Sequence, residues 1–481
     1  MASTTVSKPL NSEPADPQER KKHSLPAKSF ADSVQGTAAG GGESQPHSPI
    51  KSYASSATAV DDKEQLDDDK LVYEKHRSST GTDILTTVKP DDKYEQSLKQ
   101  NGATTQREKS KNGRTKKQDT TEQALASGRK AGAGWQRSAI RWAPLSVPLQ
   151  RRLQTTAVLI HSVSIALFLS TFLFLCAIPL TWPILVPYLV YSFIWCDQAT
   201  SGTLTRRSQR LRRSKIWSAF ASYFPARLHR TVKLEPHRKY IFGYHPHGII
   251  SHGAFAAFAT EALGFTDLFP GITNTLLTLD SNFRIPLYRD YALAMGLASV
   301  SKESIENLLS KGGVNGEGMG RAVTIVVGGA RESLNAEPHS LRLVLNSRKG
   351  FVKLAIRQGA DLVPVLAFGE NDLYEQIDSE AHPWIHKTQM LVKKMAGFTV
   401  PLFHARGIFN YDVGMMPYRK AVNIVVGRPI QVVQQGQHDG RVQEDYLDEV
   451  HANYVEELRR LWEEHKDTFA KDRVTELELV E

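Results

Sequence analysis

Two histidines separated by one proline, His245 and His247, stand in "KYIFGYHPHGIISHG", directly after an apolar aromatic run and directly before a glycine and a helix-like pattern. A neutral imidazole at such a strand end is a candidate general base, because a ring nitrogen with a free lone pair can take the proton of an attacking hydroxyl. A helix starting just beyond would turn its positive pole toward the ring and disfavour imidazolium. Pro246 fixes its own φ, and Gly248 allows close approach of a substrate, so the loop is expected to be stiff around an open face. Spacing alone leaves two rival readings. The rings could only satisfy local backbone groups, or His-x-His could give two zinc ligands with His252 as a third, provided the three reach facial geometry. For a covalent route there is no Gly-x-Ser-x-Gly elbow, and the two cysteines, Cys176 and Cys196, both lie in an apolar stretch.

The elements that must hold these residues follow from periodicity. Between 215 and 475, runs apolar on both faces, "KYIFGY" (239–244), "AVTIVVGG" (322–329), "DLVPVLAFG" (361–369) and "AVNIVVGRPI" (421–430), read as strands covered by helices on both sides. Helical patterns fall at 249–262, 302–311 with Ser301 as N-cap, 350–358 and 442–468. This predicts a layered α/β domain with a mixed or mostly parallel sheet, whose ligands bind outside the carboxyl ends of the strands. "GYHPHG" and "GGARES", which carries Glu332, both sit at such ends, so His245, His247 and Glu332 are expected on one rim. The glycine-rich "GGVNGEGMG" at 312–320 precedes its strand instead of following it, the wrong order for a phosphate loop.

The rest of the 481 residues is organised by charge and apolarity. Residues 1–130 are polar, poor in aromatics and without apolar period, which predicts a disordered tail. The net charge of +9 and the cluster "REKSKNGRTKKQ" at 107–118 lack the interleaved aromatics of a nucleic-acid surface, so no nucleic-acid partner is expected. Residues 131–154 mix Trp135, Ile140, Trp142, Leu145 and Leu149 with arginines, as an interfacial lead-in does. Residues 155–197 carry no charge before Asp197, long enough for a transmembrane or re-entrant helical hairpin that breaks near Pro179, Trp182 and Pro183. Arginines flank it on both sides (Arg151 and Arg152; Arg206, Arg207, Arg210, Arg212 and Arg213), which predicts both termini on the cytosolic side.

"YFP" at 223–225, "YIFGYHPHGI", "RDYALAMG" at 289–296, "VVGGARESL" at 326–334, "RKGFVKLAIRQGADLVPVLAFGENDLYEQ" at 348–376, "LFHARGIF" at 402–409 and "HANYVEELRRLWEEHKDTF" at 451–469 together resemble the signatures of the type-2 diacylglycerol acyltransferase family. The resemblance runs from about 148 to 475 in the family's order and leaves the tail without a counterpart. It implies a membrane enzyme moving a fatty acyl group from acyl-coenzyme A to diacylglycerol, with no metal and no cofactor beyond that co-substrate. His247 carries over as the base, His245 as its neighbour within the motif, and Glu332 as the carboxylate expected to orient the base. Pro246 and Gly248 would border the substrate, Arg348, Lys349 and Lys353 would face the coenzyme A phosphates, and "FLFL" (Phe172, Leu173, Phe174, Leu175) is similar to a neutral-lipid motif. An endoplasmic-reticulum membrane and the lipid-droplet surface are the implied locations, and homo-oligomer formation is left open. Monoacylglycerol or a long-chain alcohol as acceptor, and a non-catalytic membrane-shaping hairpin protein, stand as alternatives.

Overall fold

A computed structural model describes residues 84–88, 140, 142–144, 147–334, 336–376, 391, 403–436 and 441–480, with the backbone of 73–77. All lie in one unit, Ala59–Glu481. In chain order its strands are β1 (Tyr73–Arg77), β2 (Ile84–Val88), β3 (Arg227–Arg230), β4 (Tyr240–His245), β5 (Thr273–Thr278), β6 (Ala298–Ser299), β7 (Arg321–Val326), β8 (Leu341–Val344), β9 (Asp361–Phe368), β10 (Glu375–Gln376), β11 (Phe403–His404), β12 (Asn423–Val426) and β13 (Leu477–Val480). The helices that matter here are α1 (Leu149–Ser162), α2 (Ser164–Cys176), α3 (Trp182–Val190), α4 (Lys215–Tyr223), α5 (Tyr288–Ala294), α6 (Lys302–Ser310), α7 (Gly329–Leu334), α8 (Gly350–Gln358) and α9 (Glu444–Phe469).

Nine of the described strands form one sheet in the order β1-β2-β3-β12-β9-β4-β7-β5-β6. Its centre, from β9 through β4, β7 and β5 to β6, is parallel, while β12 runs antiparallel to β9. The sheet is therefore mixed and mostly parallel, as the doubly apolar runs predict. Side chains of β4 alternate between two cores: Tyr240, Phe242 and Tyr244 join α1, α4 and the turn at 252–259, whereas Ile241 joins α6, α8 and α9. Each fully buried Val, Leu, Ile or Phe in these layers contributes about 1.5–3 kcal/mol. The predicted helices at 302–311, 350–358 and 442–468 form nearly as expected; Ser301 Oγ caps α6 by accepting from Ser304 N at 3.2 Å. The predicted helix at 249–262 does not. A three-residue turn, His252–Ala254, passes into a wide turn, Phe255–Ala259, after Ser251 adopts a left-handed backbone with φ of 60°.

Two further expectations need correction. Residues 73–77 and 84–88 were expected to lie in a structureless tail, yet β1 and β2 pair as an antiparallel hairpin and β2 extends the sheet at β3. The β-branched residues of "ILTTV" favour an extended strand, and packing fixes it: Leu85 is buried, and Thr87 Oγ1 donates to Leu228 O at 2.8 Å. The remainder of the predicted tail, including 107–118, lies outside the described residues. The apolar run from 155 to 197 also departs from a simple hairpin. Ala157 and Val158 are core residues, and the buried Gln154 donates to Ser222 Oγ on α4 at 3.1 Å, so α1 belongs to the domain. No single described helix is long and apolar enough to cross a membrane; α1 and α2 together are, but they bend by 64° at Val163. The segment then breaks at Pro179–Thr181, as the prolines predict, and continues as α3. Both arms are tied to α5: Phe168 stacks on Tyr291 with ring centres 5.4 Å apart, and Tyr188 donates to Asp290 at 2.5 Å.

Candidate active site

β4, β7 and β9 end on one side of the sheet, and the chain leaves each of them through a turn that carries a polar group. After β4 come His245, Pro246, His247 and Gly248, with a cis peptide between His245 and Pro246. After β7, Gly328 leads into α7 and Glu332. After β9, Gly369 leads to Glu370. His245, His247 and Glu332 are thus brought together on one rim.

His247 is half-buried. Its Nδ1 lies 3.0 Å from Gly248 O, a carbonyl that can only accept, so Nδ1 carries the proton and Nε2 carries the lone pair. No described residue bonds Nε2. Burial lowers the pKa of this ring, with the Gly248 carbonyl opposing the shift. The neutral state therefore comes from burial; the short turn at 252–254 supplies no long helix whose pole could enforce it.

Glu332 does not orient the ring. It is buried at 1 % exposure, one oxygen accepts the backbone N–H of His247, and the other accepts Val344 N at 3.0 Å, at the end of β8. Its carboxylate thus clamps the loop after β4 to β8. Burial pushes its pKa up to about 7, against the two N–H donors and the charge of Arg348.

His245 is fully buried beneath the loop, and burial lowers its pKa to about 3. Its Nε2 lies 2.9 Å from the hydroxyl of Tyr454 on α9, which also donates to Gly243 O at 3.1 Å. With that proton committed to the carbonyl, the hydroxyl accepts from His245 Nε2–H. A β-carbon at position 243 would run into the same hydroxyl, which is why glycine interrupts the aromatic strand there. His252 turns away from the pair: its Nε2 meets Tyr374 Oη at 2.7 Å and its ring stacks on Phe224 at 5.0 Å. Among the described residues no three His, Cys, Asp or Glu side chains gather as a metal site.

Glu370 underlies the loop from the other side. Its Oε2 accepts from Tyr244 Oη at 2.8 Å and Gly253 N at 2.9 Å, and burial raises its pKa to about 7. Gly248, at φ of 58°, has no room for a β-carbon, which would sit 2.8 Å from Glu370 Cγ. Sequence reasoning missed Glu370 and Tyr454. Glu370 was findable by the strand-end rule that singles out Glu332, since it follows "LAFG". Tyr454 carries no local signal.

The remaining predicted residues are less closely gathered. Arg348 Nη2 reaches Gly328 O at 3.4 Å, which keeps it at the rim. Lys349 pairs with Asp448 at 2.6 Å and Lys353 with Glu444 at 3.7 Å, both bridging α8 to α9. Phe172, Leu173, Phe174 and Leu175 end α2, with Leu173 and Phe174 exposed, and no hydrogen bond or ring contact links them to the histidine loop. Beside Pro246 opens a pocket of about 280 Å³, whose wall includes Gly369, Lys420, Trp462, Phe469 and Lys471.

A family model described as "Diacylglycerol acyltransferase" matches residues 172–480, which contain this entire rim. The chain belongs to the diacylglycerol acyltransferase family. It is 49% identical over 342 residues to diacylglycerol O-acyltransferase 2A of Umbelopsis ramanniana, covering 71% of this chain and 94% of that protein. To diacylglycerol O-acyltransferase 1 of Schizosaccharomyces pombe it is 47% identical, over 68% of this chain and 91% of the other. It is also 44% identical to 2-acylglycerol O-acyltransferase 1 of Bos taurus, over 69% and 96%. No solved structure matches the chain. The rim's geometry offers one imidazole nitrogen with no partner among the described residues, on a loop held by two buried carboxyl groups.

Proposed function

We propose that this member of the family transfers a fatty acyl group from acyl-coenzyme A to the free hydroxyl of diacylglycerol, giving triacylglycerol and free coenzyme A. The observation that carries the mechanism is the contact between His247 Nδ1 and Gly248 O, which leaves Nε2 unprotonated and without a partner among the described residues. Nε2 takes the hydroxyl proton as the alcohol oxygen attacks the thioester carbonyl; collapse of the tetrahedral intermediate expels the thiolate, which receives that proton back from the imidazolium. A thioester is already activated, so no acyl-enzyme is needed. The N–H groups of Gly248 and Gly328, which have no acceptor among the described residues, are suited to the oxyanion. His245, Glu332, Glu370 and Tyr454 act by holding the loop. Lys420 and Lys471, which pair with no carboxylate among the described residues, supply charge for the coenzyme A phosphates more readily than the paired Lys349 and Lys353.

The same reading extends to the membrane. The exposed apolar side chains of α2 and α3 sit in the bilayer as a bent, re-entrant hairpin, so that diacylglycerol arrives laterally and acyl-coenzyme A from the cytosol. The location is the endoplasmic-reticulum membrane with both termini cytosolic, and such a hairpin also fits a lipid-droplet monolayer. Similarity to the bovine 2-acylglycerol enzyme keeps monoacylglycerol as a second acceptor. The test is purified protein in micelles with labelled acyl-coenzyme A and a panel of diacylglycerol, 2-monoacylglycerol and long-chain alcohol. Labelled triacylglycerol as the main product supports the assignment; wax ester, or no product, rejects it.

A further inference from the structure

The loop between β11 and β12 buries charged side chains while its tip exposes apolar ones. Its polar residues face inward: Asp412 is 1 % exposed, Arg406 is buried over the Tyr411 ring with its guanidinium 5.1 Å from the ring centre, and Asn410 Oδ1 accepts from Asp412 N at 3.1 Å and Val413 N at 2.8 Å. Two bridges, Ala405 to Gly414 and Arg406 to Met416, close its base. Three of its large apolar side chains face outward, Phe409 73 % and Met415 71 % exposed with Ile408 beside them, while Tyr411, Met416 and Tyr418 pack inward. A loop shaped by water would show the reverse, since its polar groups cost nothing to expose and its apolar ones do.

This apolar tip is continuous with the foot of the hydrophobic segment. Trp142, 68 % exposed, pairs by a bridge with Asn410, and Ala143 N donates to Phe409 O at 2.8 Å. Arg419, just past the loop, donates to Gln154 Oε1 at 2.6 Å, Thr155 Oγ1 at 3.0 Å and Arg151 O at 3.1 Å, fixing the loop's base to the first turns of α1. Leu149 and Leu153 on those turns are exposed, and Arg151 and Arg152 supply cations at the same level, where phosphate headgroups would lie.

We infer that the tip Ile408–Phe409 with Met415, together with Trp142, is a second membrane-inserting element: a wedge from the catalytic domain that enters the same lipid leaflet as α2 and α3. The inference rests on the membrane reading above but makes a separate claim, because the hairpin sets where the chain enters the lipid, while a second, braced contact on the catalytic domain sets how that domain faces the surface. The loop's start is also anchored in the core, since Phe403 packs on Tyr374, the partner of His252, with ring centres 4.8 Å apart.

The experiment uses the full chain with Cys176→Ser and Cys196→Ser, carrying in turn Phe409→Cys, Leu173→Cys or Val314→Cys, each labelled with an environment-sensitive fluorophore. The proteins are reconstituted in phosphatidylcholine vesicles with or without brominated acyl chains. The expected result is a blue-shifted emission quenched by bromolipid at 409 and 173, with neither effect at the exposed loop position 314. Quenching at 173 without quenching at 409 overturns the wedge and leaves the hairpin standing; no quenching at either overturns both. A blue shift at 409 that bromolipid does not quench means that protein covers the tip, and likewise overturns the inference.

Discussion

His247 works, in this account, because two different groups divide its needs: Gly248 O fixes the tautomer, and burial keeps the ring neutral. A ring whose pKa is lowered stays in its basic form further into acid, so the acid limb of kcat/KM is expected below the free-imidazole value of about 6.5. A pH–rate profile in micelles checks this, and a limb centred above that value contradicts it. Tyr454→Phe keeps the packing of α9 but strips His245 of its hydroxyl partner. Leaving that buried nitrogen unpaired is expected to cost about 1–3 kcal/mol of stability, read from thermal unfolding, and to lower kcat with little change in KM. The position of the histidines at the strand end was legible, but spacing left the base, zinc-ligand and backbone-satisfying readings open, and only the fold separates the buried His245 from the half-buried His247. The role of Glu332 was not legible: whether a carboxylate meets a ring or a backbone N–H is decided by the register of β4 against β7 and the reach of α7, which no local pattern records.

At the level of elements, two buried carboxyl groups hold the turns after β4, β7 and β9 together. Glu332 and Glu370 both have their pKa raised by burial from 4.5 to about 7. A raised value means that the folded protein holds these protons more tightly than the unfolded chain does. The stability they contribute is complete below the unfolded value and is lost as pH rises through about 7, by about 3 kcal/mol for each group. Thermal midpoints in detergent are therefore expected to fall between pH 5 and 7, within the span set by those two values, and Glu370→Gln is expected to flatten that fall. A variant with unchanged pH dependence contradicts the assignment. Strands and helices of this layer were readable from doubly apolar runs and from Ser301, whereas the break of the 249–262 helix into a tight and then a wide turn was not. Its cause is a left-handed Ser251 and the close approach of Glu370 behind Gly248, both of them tertiary.

For the whole molecule, the polar first third of the chain contains a hairpin that completes the sheet, and the apolar run begins as a core helix. Both were hidden by composition: a five-residue strand is too short to stand out from a long polar stretch, and an apolar helical run looks the same whether protein or lipid covers it. Deleting residues 1–130 is expected to uncover β3 and lower the unfolding temperature, and Leu85→Asp in the intact chain is expected to do so by the same route; equal midpoints would show that the hairpin adds nothing. The central claim, that His247 is the base of a direct acyl transfer, is tested most directly by one comparison. Wild type and His247→Ala, purified in the same micelles, are given labelled acyl-coenzyme A and diacylglycerol, and triacylglycerol is counted. A loss of roughly 10²–10⁴-fold in kcat, with folding and membrane association retained, is the result this account predicts. Triacylglycerol formed by His247→Ala at the wild-type rate would contradict it.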